Sequence, residues 1–277
     1  MSDSTTGSPT STLPRCSTVE GAGPAAASLD SPCATARGQL SGIVRRVGEL
    51  APDEHERLYI LLTRYFANVT RTQFEQDLAE KDRVILLTDG LTGQIQGFST
   101  LMQLHILVDD HPVVAFFSGD TIVERAYWGE SVLSRSWARH VFQQAGQIRR
   151  AVPETRVYWF LICSGYKTYR FLPTFFREFF PAYDRSTPLV VKHTLDRLAW
   201  LKFPSEYDAE RGVVRLRQAT PLRPEVAAVT EHLLANAHVA FFVAANPGHV
   251  DGDELACLTE IIPENLTPAG RRMLLGG

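Results

Sequence analysis

The sequence predicts an α/β fold built on a mixed sheet flanked by helices. Three observations predict it. The spacing of apolar residues alternates along the chain between a period of two and a period near 3.6, so strands and helices are interleaved. Three strand-like runs, 83–89, 95–108 and 112–123, are joined by short turns and read as an antiparallel meander. The run RVYWFLIC at 156–163 is apolar almost throughout, which suits a strand buried on both faces.

The elements follow in order. Residues 1 to about 40 are rich in Ser, Thr, Ala, Gly and Pro and poor in large apolar side chains, so a disordered tail is expected. GIVRRV (42–47) is a short strand. Leu58, Leu61, Leu62, Tyr65, Phe66 and Val69 recur at helical spacing and predict a helix over roughly 53–68. Thr72 and Glu75 have the form of a capping box opening a helix at 73–81, with Phe74 and Leu78 inward. Asp-Gly and Thr-Gly pairs mark the turn at 89–94, and DDHP closes the strand at 95–108. Residues 130–150 form a helix with Val132, Leu133, Trp137, Val141 and Phe142 inward. Phe171, Leu172, Phe175, Phe176, Phe179 and Phe180 make a second helical stripe, in which Pro173 marks a start or a kink. Beyond 184, GVVRLR (212–217) reads as a strand and EVAAVTEHLLANA (225–237) as a helix. Asp251 or Asp253 is expected to cap a helix running through Leu255 and Leu258. The chain thus divides into a tail (1–40), a core (41–184) and a C-terminal extension (185–277) that completes the sheet and supplies a lid.

A net charge of −3 and the lack of a long basic run argue against a nucleic-acid scaffold. Lys167, Arg170, Arg177 and Glu178 interrupt the apolar stretch at 158–181, so no membrane span is expected. The first twenty residues lack the basic start and apolar core of a secretory signal. Cys16, Cys33, Cys163 and Cys257 show no metal-ligand spacing. These features predict a reduced, cytoplasmic protein without a metal.

Chemistry concentrates where the strand at 112–123 hands over to the helix at 130–150. The turn reads Tyr127-Trp128-Gly129-Glu130-Ser131. A helix start carries unpaired N–H groups and a partial positive charge, so it attracts anions, and Gly129 lets a ligand approach the backbone. A plain tight turn, with Glu130 favoured by the helix dipole, is the competing reading. The element order over 42–183 and this turn resemble the GNAT superfamily of acyl-CoA N-acyltransferases. The resemblance implies that backbone N–H groups of the turn hold the phosphorylated arm of an acyl-CoA or acyl-carrier-protein thioester, a co-substrate rather than a resident cofactor. It implies a donor-binding set of Val123, Arg125, Trp128, Gly129, Glu130, Ser131 and Lys167. Gly129 and Ser131 match the small positions of the family's turn, whereas Trp128 replaces its basic residue. The acid that the family often carries as a Tyr is absent, because Phe176 stands there.

Transfer to an amine needs a base, a donor to the carbonyl oxygen and an acid for the thiolate. Strand alternation predicts Ser118, Asp120 and Glu124 on one face. Asp120, acidic within an apolar strand, is the expected base and Glu124 the second choice, with Ser118 touching substrate. A backbone hydrogen bond at a strand edge or a β-bulge is the competing reading of Asp120. In CSGYKTYR (163–170), Tyr169 and Tyr166 are candidates for the missing acid, and Lys167 and Arg170 for a carboxylate or phosphate. Catalysis is thus expected from Asp120, Glu124 and Tyr169, and acceptor contacts from Ser118, Tyr166 and Arg170. The acceptor is a small-molecule amine; an acyl carrier protein or a homodimer would be compatible partners. Two other readings stand beside this: a non-catalytic GNAT-like ligand- or partner-binding protein, and an unrelated enzyme using His249, Asp251, Asp253 and Glu254.

Overall fold

The structure is a computed structural model that describes residues 37–275, so the expected tail lies, up to residue 36, outside the described residues. One sheet of eight strands runs through it: β1 (Leu40–Arg46), β2 (Arg83–Asp89), β3 (Ile95–Val108), β4 (His111–Val123), β5 (Arg156–Cys163), β6 (Tyr207–Asp208), β7 (Val213–Val214) and β8 (Glu254–Glu260). Their spatial order is β1-β2-β3-β4-β5-β8-β7-β6. Every neighbouring pair is antiparallel except β4 and β5, which are parallel. The predicted meander is β2, β3 and β4.

Two helical layers cover the sheet. On one face α3 (Val132–Ala151) and α10 (Pro268–Leu275) pack over Ile85, Phe116, Val157, Trp159 and Leu161. On the other face α1 (Pro52–Tyr65) and α2 (Arg71–Ala79) lie over Val84, Leu86 and Phe98, and α6 (Leu189–Lys202) lies over Phe117, Tyr158 and Phe160. The alternate residues of β5 are therefore buried on opposite faces, as its continuous apolar run requires. No described helix is long and apolar enough to cross a membrane.

The structure departs from the sequence reading in several places. The first strand begins at Leu40, two residues early. The capping box at Thr72 does not form: Thr70 is the N-cap of α2 and accepts from the Gln73 N–H at 3.3 Å, while Glu75 pairs with His55 at 2.9 Å. The phenylalanine stripe is helical only as far as α5 (Phe171–Phe175), after the short α4 (Tyr166–Tyr169). Phe176 is extended because the chain beyond it is drawn to the sheet: the Arg177 N–H donates to Asn265 O at 2.8 Å and the Phe180 N–H to Leu258 O at 2.9 Å. The helix predicted at 225–237 is broken into α7 (Pro224–Ala227) and α8 (Glu231–Leu234), followed by α9 (Ala237–Ala245). Nothing in α8 is buried, so no apolar face sustains a longer helix there.

The largest change is at the C-terminal end. Residues 254–260 form strand β8, where a helix capped by Asp251 or Asp253 was predicted. ELACLTE has helix-forming residues, but its place between β5 and β7 admits only a strand, and tertiary position overrides local propensity. Asp253 instead accepts from Arg215 Nε at 3.1 Å.

Candidate functional site

The site begins where two strands part. β4 and β5 pair from Val113 opposite Arg156 to Ser118 opposite Leu161 and then separate, although β4 runs on to Val123 and β5 to Cys163. At the same point β4 carries a bulge. The β3–β4 register steps from Leu101 opposite Ser118 to Ser99 opposite Thr121, so Gly119 and Asp120 together oppose Thr100. The extra residue turns the later side chains over. Ser118 faces α3, where its Oγ accepts the indole N–H of Trp137 at 3.1 Å and of Trp159 at 2.9 Å. Asp120 faces the other layer, as does Ile122, which packs with Phe98 and Leu61. The expectation that Ser118, Asp120 and Glu124 share a face is therefore not met: Ser118 holds two indole N–H groups and lines the cavity on the α3 side of the sheet. Gly119 is required by close approach: a Cβ there would lie 2.7 Å from Thr100 Oγ1 and 2.8 Å from Lys81 Cε.

On the Asp120 side lies a cavity of about 160 Å³. Asp77, Lys81, Asp120, Lys202 and Glu254 bring charge to it, between the aromatic walls Phe66, Phe74, Phe117 and Phe203. Lys81 is buried; its Nζ donates to Asp77 O at 2.8 Å and stands 6.0 Å from the Phe117 ring centre. Lys202 approaches the same ring at 5.9 Å and pairs with Glu80. Burial raises the Glu254 carboxyl to about 8, against a hydrogen bond from Ser164, and the charges of Asp120 and Asp77 add to the rise. Burial likewise raises Asp120, which is half-buried, and Asp77; Lys81 opposes both. The Lys81 ammonium is pushed down by burial and held up by Asp120.

The other side of the parting opens as a cleft of about 330 Å³, walled by Val123, Trp128, Gly129, Glu130, Tyr166 and Lys167. Gly129 has φ 95°, a conformation that a side chain disfavours. α3 starts at Val132 with Ser131 as N-cap and without a side-chain cap, so its first N–H groups are open to a ligand. The basic position of the turn is filled indirectly: Lys167 Nζ lies 4.2 Å from the Trp128 ring centre and the Arg125 guanidinium 5.2 Å from it. Burial, then the charge of Arg125, lowers Lys167. Arg125 and Ser131 do not wall the cleft themselves. Thr121, Ser164 and Thr168 line both this cleft and the Asp120 cavity, so the two meet through the parted strands.

Three expected residues are placed elsewhere. Glu124 is held by Arg64 and by Tyr65 Oη at 3.1 Å, and walls neither cavity. Burial and that carboxylate push the Tyr65 hydroxyl up to about 12. Tyr169 is fully buried, its Oη donating to Pro181 O at 2.9 Å, so it is not the acid. Arg170 is exposed and lines none of these cavities. Thr168, one residue before Tyr169, reaches the parting instead. The His249 cluster disperses: His249 Nδ1 meets Asn246 O at 2.9 Å, and Glu254 alone turns into the Asp120 cavity. Among the described residues no three His, Cys, Asp or Glu side chains converge as metal ligands. Cys163 and Cys257 are buried with sulfurs 3.9 Å apart, and burial raises the Cys163 thiol.

The sequence placed Glu254 only in the separate 249–254 cluster and did not single out Lys81. Lys81 left no signal in AEKD. Glu254 left a faint one, a carboxyl opening the apolar run ELACL.

No family model and no curated protein matches the chain. Solved structures do. A GNAT family N-acetyltransferase of Escherichia coli, YhbS, in complex with CoA, is 16% identical over 49% of this chain and 70% of its own, with a TM-score of 0.33. A conserved protein of Enterococcus faecalis, described as a probable N-acyltransferase, is 11% identical over 80% of this chain and 66% of its own, with a TM-score of 0.38. Glucosamine-6-phosphate N-acetyltransferase of Arabidopsis thaliana is 12% identical over 54% of this chain and 99% of its own, with a TM-score of 0.33. These likenesses concern the fold alone. The mixed sheet has a single parallel pair, β4 and β5, which parts beyond Ser118.

Proposed function

We propose that the protein is an N-acyltransferase that moves an acyl group from an acyl-CoA or acyl-phosphopantetheine thioester to a small-molecule amine. One observation carries this: the parting of β4 and β5 joins an open helix N-terminus on one side to a cavity of raised carboxyls on the other. The first-turn N–H groups of α3 and the backbone at Gly129 receive the anionic arm, and Lys167 adds charge beside Trp128. The thioester carbon then lies at the parting, near Thr121 and Thr168. The amine enters from the Asp120 cavity, where carboxylates attract its ammonium.

Asp120 takes the proton that makes the amine nucleophilic. Its raised affinity for a proton suits this role, whereas Glu254, in the same cavity, keeps its own proton at neutral pH. The amine nitrogen forms a bond to the carbonyl carbon, the carbon–sulfur bond breaks, and the thiolate leaves, taking through water the second proton that the acylated nitrogen sheds. Phe176 has no hydroxyl and Tyr169 is buried against Pro181 O, which leaves Tyr166, of the two tyrosines in 163–170, in the wall of the donor cleft.

Asp120→Asn is expected to lower turnover about 10²- to 10⁴-fold, the usual contribution of a general base, with donor affinity retained. Thiol release from a panel of acyl-CoAs with mixed amines measures the first, and calorimetric binding of CoA the second. Full turnover in the variant would remove Asp120 from this role.

A further inference from the structure

A third cavity opens from the parted strands toward α3. Thr121, Leu133, Ser134, Thr168 and Phe171 line both it and the donor cleft, so the two are continuous. Its deeper walls are Trp137, Trp159, Leu161, Phe175, Phe176 and Met273. The chemistry of these walls is more apolar than their composition suggests. Both indole N–H groups are turned to Ser118 Oγ, so the two tryptophans, with ring centres 4.4 Å apart, present carbon to the cavity. Phe176 stacks on Trp159 at 5.8 Å and puts a hydroxyl-free ring in the wall. A helix from the far C-terminus closes the end, since Met273 belongs to α10.

We infer that this cavity receives the acyl chain of the thioester, and that the donor carries an apolar chain of intermediate length rather than acetyl. The inference rests on the acyl-transfer reading above. A charged acyl group would find no countercharge there, since no ionisable side chain lines the wall, and Ser118 is occupied by the two indoles and Ser99 by Thr121. The cavity holds about 70 Å³. At roughly 10–15 Å³ per water that is about five positions, each near the size of a methylene, so a chain of roughly six carbons fills it.

The test is a binding ladder by calorimetry with CoA and with acetyl-, butyryl-, hexanoyl-, octanoyl- and dodecanoyl-CoA, and with hexanoyl-pantetheine as the nucleotide-free arm. Affinity is expected to rise roughly threefold to fourfold per added methylene, as for buried apolar area, and to level or fall beyond about six carbons. Met273→Trp, which fills the end of the cavity, is expected to lower the hexanoyl-over-acetyl preference about tenfold. Leu133→Ala, which enlarges it, should move the optimum to longer chains, so the two variants shift the ladder in opposite directions. Stronger binding of hexanoyl-pantetheine than of CoA would place the recognition in the chain and support a carrier-protein source. A flat ladder in the unaltered protein, with CoA and acetyl-CoA bound as tightly as hexanoyl-CoA, overturns the acyl-chain inference and leaves the transfer reading in place. No binding by CoA, any acyl-CoA or hexanoyl-pantetheine overturns both.

Discussion

Ser118 shows how one hydroxyl can shape a site without joining its chemistry. It accepts from two buried indoles, and the bulge that follows it lets Asp120 face the opposite layer. Ser118→Ala is expected to leave two buried N–H groups unpaired and to cost about 2 kcal/mol or more of stability, read as a lower denaturation midpoint and a changed tryptophan spectrum. Unchanged stability would mean the indoles find other acceptors. Glu254 gives a second expectation, in pH. Its carboxyl, raised from 4.5 to about 8 by burial, keeps its proton in the folded protein where the unfolded chain has lost it. The protein is therefore expected to be most stable near pH 5 and to lose stability as pH rises toward 8, by up to a few kcal/mol on the order of this shift. Glu254→Gln should flatten that slope, so that it matches the unaltered protein at pH 5 and exceeds it at pH 8. Equal slopes in both proteins would show that Glu254 is ionised in the fold.

At the scale of elements, the proposed donor site is the handover from β4 to α3. Gly129, at φ 95°, sets the direction of the turn. Gly129→Val is expected to cost about 1–2 kcal/mol in backbone strain and to weaken CoA binding, measured by melting and by calorimetry. Unaltered CoA affinity would separate the turn from donor binding. The elements that the sequence made legible were those with a pure period. β2, β3 and β5 fell within their predicted bounds because alternation or a continuous apolar run leaves one arrangement. The stripe at 171–180 misled, since its phenylalanines are apolar whether helical or extended, and only the distant Asn265 and Leu258 decide between them. β8 misled for the same reason, its neighbours lying almost one hundred residues earlier in β5.

At the scale of the molecule, the sheet brings together what the chain keeps apart. Lys81, Asp120 and Glu254 meet at one cavity from α2's end, β4 and β8. Local sequence could propose Asp120, because a carboxyl stands out within an apolar strand. It could not pair it with Lys81 or Glu254, whose meeting depends on strand order, nor see that a bulge would separate it from Ser118. It did mark the turn at 127–131 by position, although Arg125 and Ser131 serve behind the wall that Trp128 and Gly129 form. In the proposed function the two substrates therefore approach from opposite sides of the parted strands. Hydrogen–deuterium exchange with and without saturating CoA tests this most directly. Protection is predicted in peptides covering residues 119–123, 129–134 and 164–168, with β1, β6 and β7 unchanged. CoA bound at saturation with those three segments exchanging as freely as before would contradict the account.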